Sequence, residues 1–177
     1  METYKNNFLV PLLFMGFLMI VSYSTPPKVI SNNEKTVEIV ETVSDVDENI
    51  FSEDMLIQMM KDLNIKYPHI VLAQARLETG NYESKIFNDN NNLFGMKEAR
   101  VRIHTATCTQ HNHACYENWK ESLYDYAFYQ ATYYSDVKNE KQYFRKLDNS
   151  YAESKNYSDK LKIIIERENL EGKFLDS

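Results

Sequence analysis

Between Pro68 and Gly80 the chain reads PHIVLAQARLETG, and that stretch commits the fold to a helix. Pro68 has no amide hydrogen to lose and a φ already near helical values, so it suits a first turn. Gly80 accepts the left-handed conformation in which helices end. Comparable punctuation recurs after Phe51, where the folded domain is expected to begin. Ser52 can cap a helix opening with Glu53 and Asp54 and running through MLIQMMKDL. Ser122 followed by Asp125 forms a capping box ahead of an apolar-rich run, and Asn139 with Gln142 opens another helix through Leu147. A last helix is expected over Ser158 to Asn169. Four glycines and four prolines in 177 residues leave too few tight turns for an all-β protein. Asn88 to Gly95, NDNNNLFG, has no helical period and predicts a structured loop. Arg100 to Thr109 is rich in β-branched residues and predicts a small hairpin. The expected class is mainly α, five or so helices around one β-rich insertion, with no internal repeat.

Ahead of this domain the composition changes twice. Phe8 to Val21, FLVPLLFMGFLMIV, carries no charge over fourteen residues. That is too short for an ordinary membrane span and right for a signal-peptide core. Ser22-Tyr23-Ser24 offers small residues for a cut after Ser24, so residues 1–24 read as a signal peptide or, uncleaved, an N-terminal membrane anchor. Residues 25–50 hold six acids against two lysines, net −4 of the chain's −6. They read as a solvated, disordered linker. Residues 51–177 are nearly balanced at 19 acids and 17 bases. An acidic chain without clustered Lys and Arg is not built to hold nucleic acid.

Glu78 is the most suggestive residue. It falls in the last turn of its helix, on the face shared with Val71 and Ala75. There the negative end of the helix dipole and a partly apolar wall both disfavour ionisation, which is what a general acid needs. On spacing alone, a solvated glutamate near a helix end is the simpler reading. Cys108 and Cys115 bracket TQHNHA, with His104, His111 and His113 nearby. In an exported protein a disulfide closing this tip is the natural reading; free thiols and a zinc site are the alternatives, although the spacing matches no standard zinc pattern.

The run Val71 to Gly80, VLAQARLETG, followed by Ser84, resembles the signature that opens the catalytic domain of bacterial glucosaminidases, glycoside hydrolase family 73. Asn91 to Lys97, NNLFGMK, is similar to that family's Asn-Leu-Phe-Gly-Ile-Lys motif. Tyr116 to Tyr126, YENWKESLYDY, and Ser150-Tyr151-Ala152 with Tyr157 are similar to two further elements. The four occur in order over about 90 residues, in a form similar to the short domains of Bacteroidota and their phages.

The resemblance implies a lysozyme-like helical domain with a small β-hairpin lobe and a groove between them. It implies hydrolysis of the β-1,4 bond after N-acetylglucosamine in peptidoglycan, in the periplasm or cell envelope, by a monomer needing no cofactor or metal. Glu78 would be the general acid. A second carboxylate would come from the β-lobe, with Glu117 the candidate for activating water and Glu98 and Glu121 its rivals. Tyr151 would line the groove beside the acid. Asn92, Phe94, Gly95, Tyr116, Trp119 and Tyr157 are the expected glycan contacts, and His113 a further one. Tyr126, Tyr129 and Tyr133, at helical spacing, read as core. A lytic transglycosylase of the same fold and a non-catalytic wall-binding module are the other readings.

Overall fold

The computed structural model describes residues 50–151 and 156–175. The uncharged run Phe8–Val21, the cut after Ser24, the acidic tract to residue 49 and Ala152 lie outside the described residues. Among those described, no helix is long and apolar enough to cross a membrane. The elements are α1 (Glu53–Asp62), α2 (Pro68–Thr79), α3 (Lys85–Asn90), β1 (Cys108–Gln110), β2 (His113–Cys115), α4 (Trp119–Tyr133), α5 (Glu140–Ser150) and α6 (Tyr157–Arg167), closed by a 3-10 turn at Glu171–Phe174. The expected mainly helical body with a small hairpin lobe is the one observed.

α2 is the hub, packed against α1, α6 and the 3-10 turn. Its residues Ile70 to Ala75 are all buried, because helices surround it rather than flank one side. Leu56 and Met60 of α1, Leu123 of α4, Leu147 of α5 and Leu161 of α6 are fully buried with it in one cluster. Each such side chain contributes about 1.5–3 kcal/mol of burial. Pro68 stands in the first turn, and Gly80 at φ +56° turns its amide back to the carbonyls of Arg76 and Leu77.

Four local expectations need correction. Ser52 precedes α1 in an extended conformation, but its side chain makes no capping bond. Asn88 to Asn90 are helical, not loop: the Ser84 side chain accepts the Phe87 amide, and Asn91 ends the short helix at φ +53°. Packing overrides the missing period, since the Phe87 ring lies 5.1 Å from that of Phe51 and 6.0 Å from that of Tyr82. α4 begins three residues before Ser122, capped by Asn118, whose side chain accepts the amides of Lys120 and Glu121. Ser122 and Asp125 are buried inside it and serve tertiary contacts: the Ser122 hydroxyl accepts the Leu93 amide at 3.0 Å.

The hairpin is displaced from residues 100–109 to the cysteine pair. Cys108 faces Cys115 in its register and the two are joined by a disulfide, Cα–Cα 5.0 Å. His111 and Asn112 form its two-residue turn with φ +52° and +61°, as the strand twist requires. Val101 and Ile103 are 93% and 74% exposed. With nothing to pack on, their β-branched character forms no strand. Side chains pin this segment instead: Arg102 pairs with buried Asp125, and Thr105 donates to the Glu121 carbonyl at 2.6 Å. The Asn139–Gln142 signal holds, with the Asn139 side chain accepting the Gln142 amide.

Candidate active site

A cavity of about 780 Å³ is bordered by the end of α2, the Phe94–Ala99 segment, the hairpin, α4, Tyr151 and α6. Glu78 sits on its wall, half-buried. Its Oε1 accepts a 2.7 Å hydrogen bond from the Tyr157 hydroxyl, delivered by the first turn of α6. Burial raises the pKa of the Glu78 carboxyl; the Tyr157 bond and the charges of His113 and Lys160 oppose that rise. Among the described residues Glu78 is the only carboxylate lining the cavity.

The second oxygen of Glu78 faces Gly95. With φ +63°, Gly95 holds a conformation costly for other residues, and a Cβ there would lie 3.2 Å from Oε2. The loop is fixed by Asn92, whose side chain donates to the Met96 and Ala114 carbonyls and accepts the amides of Phe94 and Met96. The Tyr151 hydroxyl donates to the Phe94 carbonyl at 2.7 Å, tying the loop to the end of α5.

Phe94, Gly95, His113, Tyr151 and Tyr157 therefore border the cavity, although the Phe94 ring packs on Tyr126 with centroids 4.3 Å apart. Asn92, Tyr116 and Trp119 do not. Asn92 is a loop fastener. The Tyr116 hydroxyl is bound at 2.7 Å to Asp125 in the interior, and the buried Trp119 ring meets Phe51 edge-on. The three candidates for a second carboxylate also lie off the lining. Glu98 follows Lys97 at the rim and accepts from Thr109 at 2.6 Å. Glu117 is exposed, with its carbonyl accepting from Asn91, and the Glu121 amide is capped by Asn118.

Sequence reasoning missed other lining residues. Tyr126 is core, but Tyr129 and Tyr133 border the cavity, and Tyr133 is 46% exposed. Their helical spacing could not show which face meets solvent. Arg102 lies over the Tyr129 ring, 5.7 Å from its centroid. Lys97 and Lys160 complete a basic margin around the single acid.

A helical body and a hairpin lobe thus border the cavity, with one half-buried carboxyl on its wall among the described residues. The family model described as mannosyl-glycoprotein endo-beta-N-acetylglucosaminidase matches residues 53–170, and the chain belongs to that family. Among solved structures it is similar to the catalytic domain of the autolysin Auto from Listeria monocytogenes, at 25% identity and TM-score 0.47, covering 66% of this chain and 80% of that one. It is also similar to an N-acetylmuramoyl-L-alanine amidase from Staphylococcus aureus, at 25% identity and TM-score 0.53, covering 72% of this chain but only 46% of that one. No curated protein matches the sequence.

Proposed function

We propose that the domain hydrolyses peptidoglycan glycan strands at the β-1,4 bond after N-acetylglucosamine, with Glu78 protonating the leaving oxygen. The observation that carries this reading is the environment of Glu78. A general acid must keep its proton near the working pH, and burial beside the cavity favours the protonated form. Tyr151 spends its hydroxyl on the Phe94 carbonyl and so offers the sugar its ring. Because peptidoglycan lies outside the cytoplasmic membrane, residues 1–24 would serve export or anchoring, and residues 25–50 would act as the tether.

A lone carboxylate in the described cavity also favours a second reading, a lytic transglycosylase. There one carboxyl serves first as acid and then as base while the sugar's own hydroxyl replaces water. Mass spectrometry of fragments released by the full chain separates the two. The hydrolase leaves a reducing N-acetylglucosamine end, whereas the transglycosylase leaves an anhydro-muramoyl end. Glycan binding with no fragments would contradict both and leave a wall-binding module.

A further inference from the structure

Glu78 is the terminus of a hydrogen-bonded chain that crosses the core. Tyr157 donates to it and accepts from the Gln74 amide at 3.4 Å; the Gln74 carbonyl oxygen accepts from the Tyr126 hydroxyl at 2.7 Å. The Tyr126 and Tyr143 hydroxyls are 2.8 Å apart, and the Gln130 amide donates to Tyr143 at 3.0 Å. Gln130 is clamped on the backbone of Lys66, accepting its N–H at 2.7 Å and donating to its carbonyl at 3.0 Å. Gln74, Tyr126 and Tyr143 are fully buried, so every donor and acceptor must be satisfied within the chain.

The ends fix its direction. A backbone N–H can only donate, so the Gln130 oxygen faces Lys66 and its amide group faces Tyr143. The Tyr126 proton is committed to the Gln74 oxygen, so Tyr143 gives its proton to Tyr126. Gln74 then presents NH2 to Tyr157, whose own proton has one remaining acceptor, Glu78. A flipped Gln74 would turn its NH2 toward Tyr126, which already accepts from Tyr143, and leave the Tyr126 proton without an acceptor.

We propose that Gln74, Tyr126 and Tyr143 form a one-way relay that locks Tyr157 as donor to Oε1 of Glu78 and thereby assigns the catalytic proton to Oε2. The assignment rests on the reading of Glu78 as the acid; the relay itself does not. Oε2 is the oxygen beside Gly95, where the missing side chain leaves room. Gln74, one helical turn before Glu78, is thus a positioning residue.

The test follows the Glu78 side-chain carboxyl by carbon NMR during a pH titration of the full chain and of Gln74→Met and Tyr126→Phe, with the pH dependence of peptidoglycan cleavage measured alongside. Each substitution weakens the donor that stabilises ionised Glu78, so the midpoint moves upward. Hydrogen-bond cooperativity of 10–30% per link makes this about 0.3 pH units, or roughly twofold more protonated acid on the alkaline side. The other groups facing Glu78 or lining its cavity are unchanged: Lys160 of α6, His113 of β2, Tyr151, Lys97 and Arg102 of the loop, and the two α4 tyrosines. The relay predicts that the alkaline limb of the rate profile rises with the NMR midpoint; a general loosening of the core would lower the rate at every pH without moving the limb. If the midpoint rises while the limb stays, the relay stands and the assignment of the acid fails. An unmoved or lowered midpoint in a folded variant overturns the relay. Should Gln74→Met not fold, Tyr126→Phe decides alone, since it removes one hydroxyl from a ring that stays packed on Phe94.

Discussion

Gly95 shows how one residue without a side chain shapes a site. Its φ of +63° and the 3.2 Å from a hypothetical Cβ to Glu78 Oε2 are separate constraints, one on the backbone and one on the space beside the acid. Gly95→Ala would incur about 1 kcal/mol of backbone strain, and would push the carboxyl off its position. The expected outcome is a modest loss on thermal denaturation with a much larger fall in kcat, about tenfold or more, since small misplacements of a reacting group are costly. Equal kcat in wild type and variant would show that the space beside Oε2 is unimportant. Gln74 is the residue that could have been noticed from sequence, because it precedes Glu78 by four positions and shares its helical stripe. Its partners could not: Tyr126 and Tyr157 lie 52 and 83 positions away.

At the scale of elements, local signals were legible when nothing distant competed for them. Pro68 and Gly80 act through their own backbones, and Asn139 caps through an amide three residues on, so α2 and the start of α5 read correctly. Ser122 and Asp125 form an equally good capping pair on paper, but the fold uses one to hold Leu93 and the other to bind Arg102 and Tyr116. The β-branched signal failed at Val101 and Ile103 for the converse reason, since strand propensity expresses packing and those two side chains have little to pack on. The disulfide closes a short loop, worth about 2.5 kcal/mol by the loop-entropy relation. Its reduction should loosen the hairpin lobe alone. Hydrogen exchange at the Ala114 amide, bonded to the Met96 carbonyl at 2.9 Å, should accelerate while α2 amides stay protected. Unchanged exchange at Ala114 would mean that Asn90 and Asn92, which grip the same strand, suffice without the crosslink.

Across the whole molecule, the helical body is tied by Glu53. Its carboxylate receives two bonds from Arg76 at 2.7 and 2.8 Å, one from Tyr82 at 2.7 Å and one from Lys173 at 3.1 Å. This joins α1 to α2, to the turn after α2 and to the 3-10 turn. Burial alone would raise its pKa, but the bonds from Arg76, Tyr82 and Lys173 overcome that and lower it to about 2. A folded value below the unfolded one stabilises the protein above the unfolded pKa, and that stability is lost as pH falls. Denaturation should therefore show about 1–2 kcal/mol, after discounting for solvent, disappearing between about pH 5 and pH 2. In Glu53→Gln that acid-sensitive portion should be absent; an identical acid limb would place the sensitivity elsewhere. The domain thus keeps one carboxylate firmly ionised to hold its helices and another biased toward protonation beside its cavity. The second decides the activity, and the direct measurement is release of reducing sugars from peptidoglycan by the full chain and its Glu78→Gln variant, with folding of both checked by circular dichroism. Loss of about 10²-fold or more in a folded variant is predicted, as expected for removal of a general acid; a rate within twofold of wild type would contradict it.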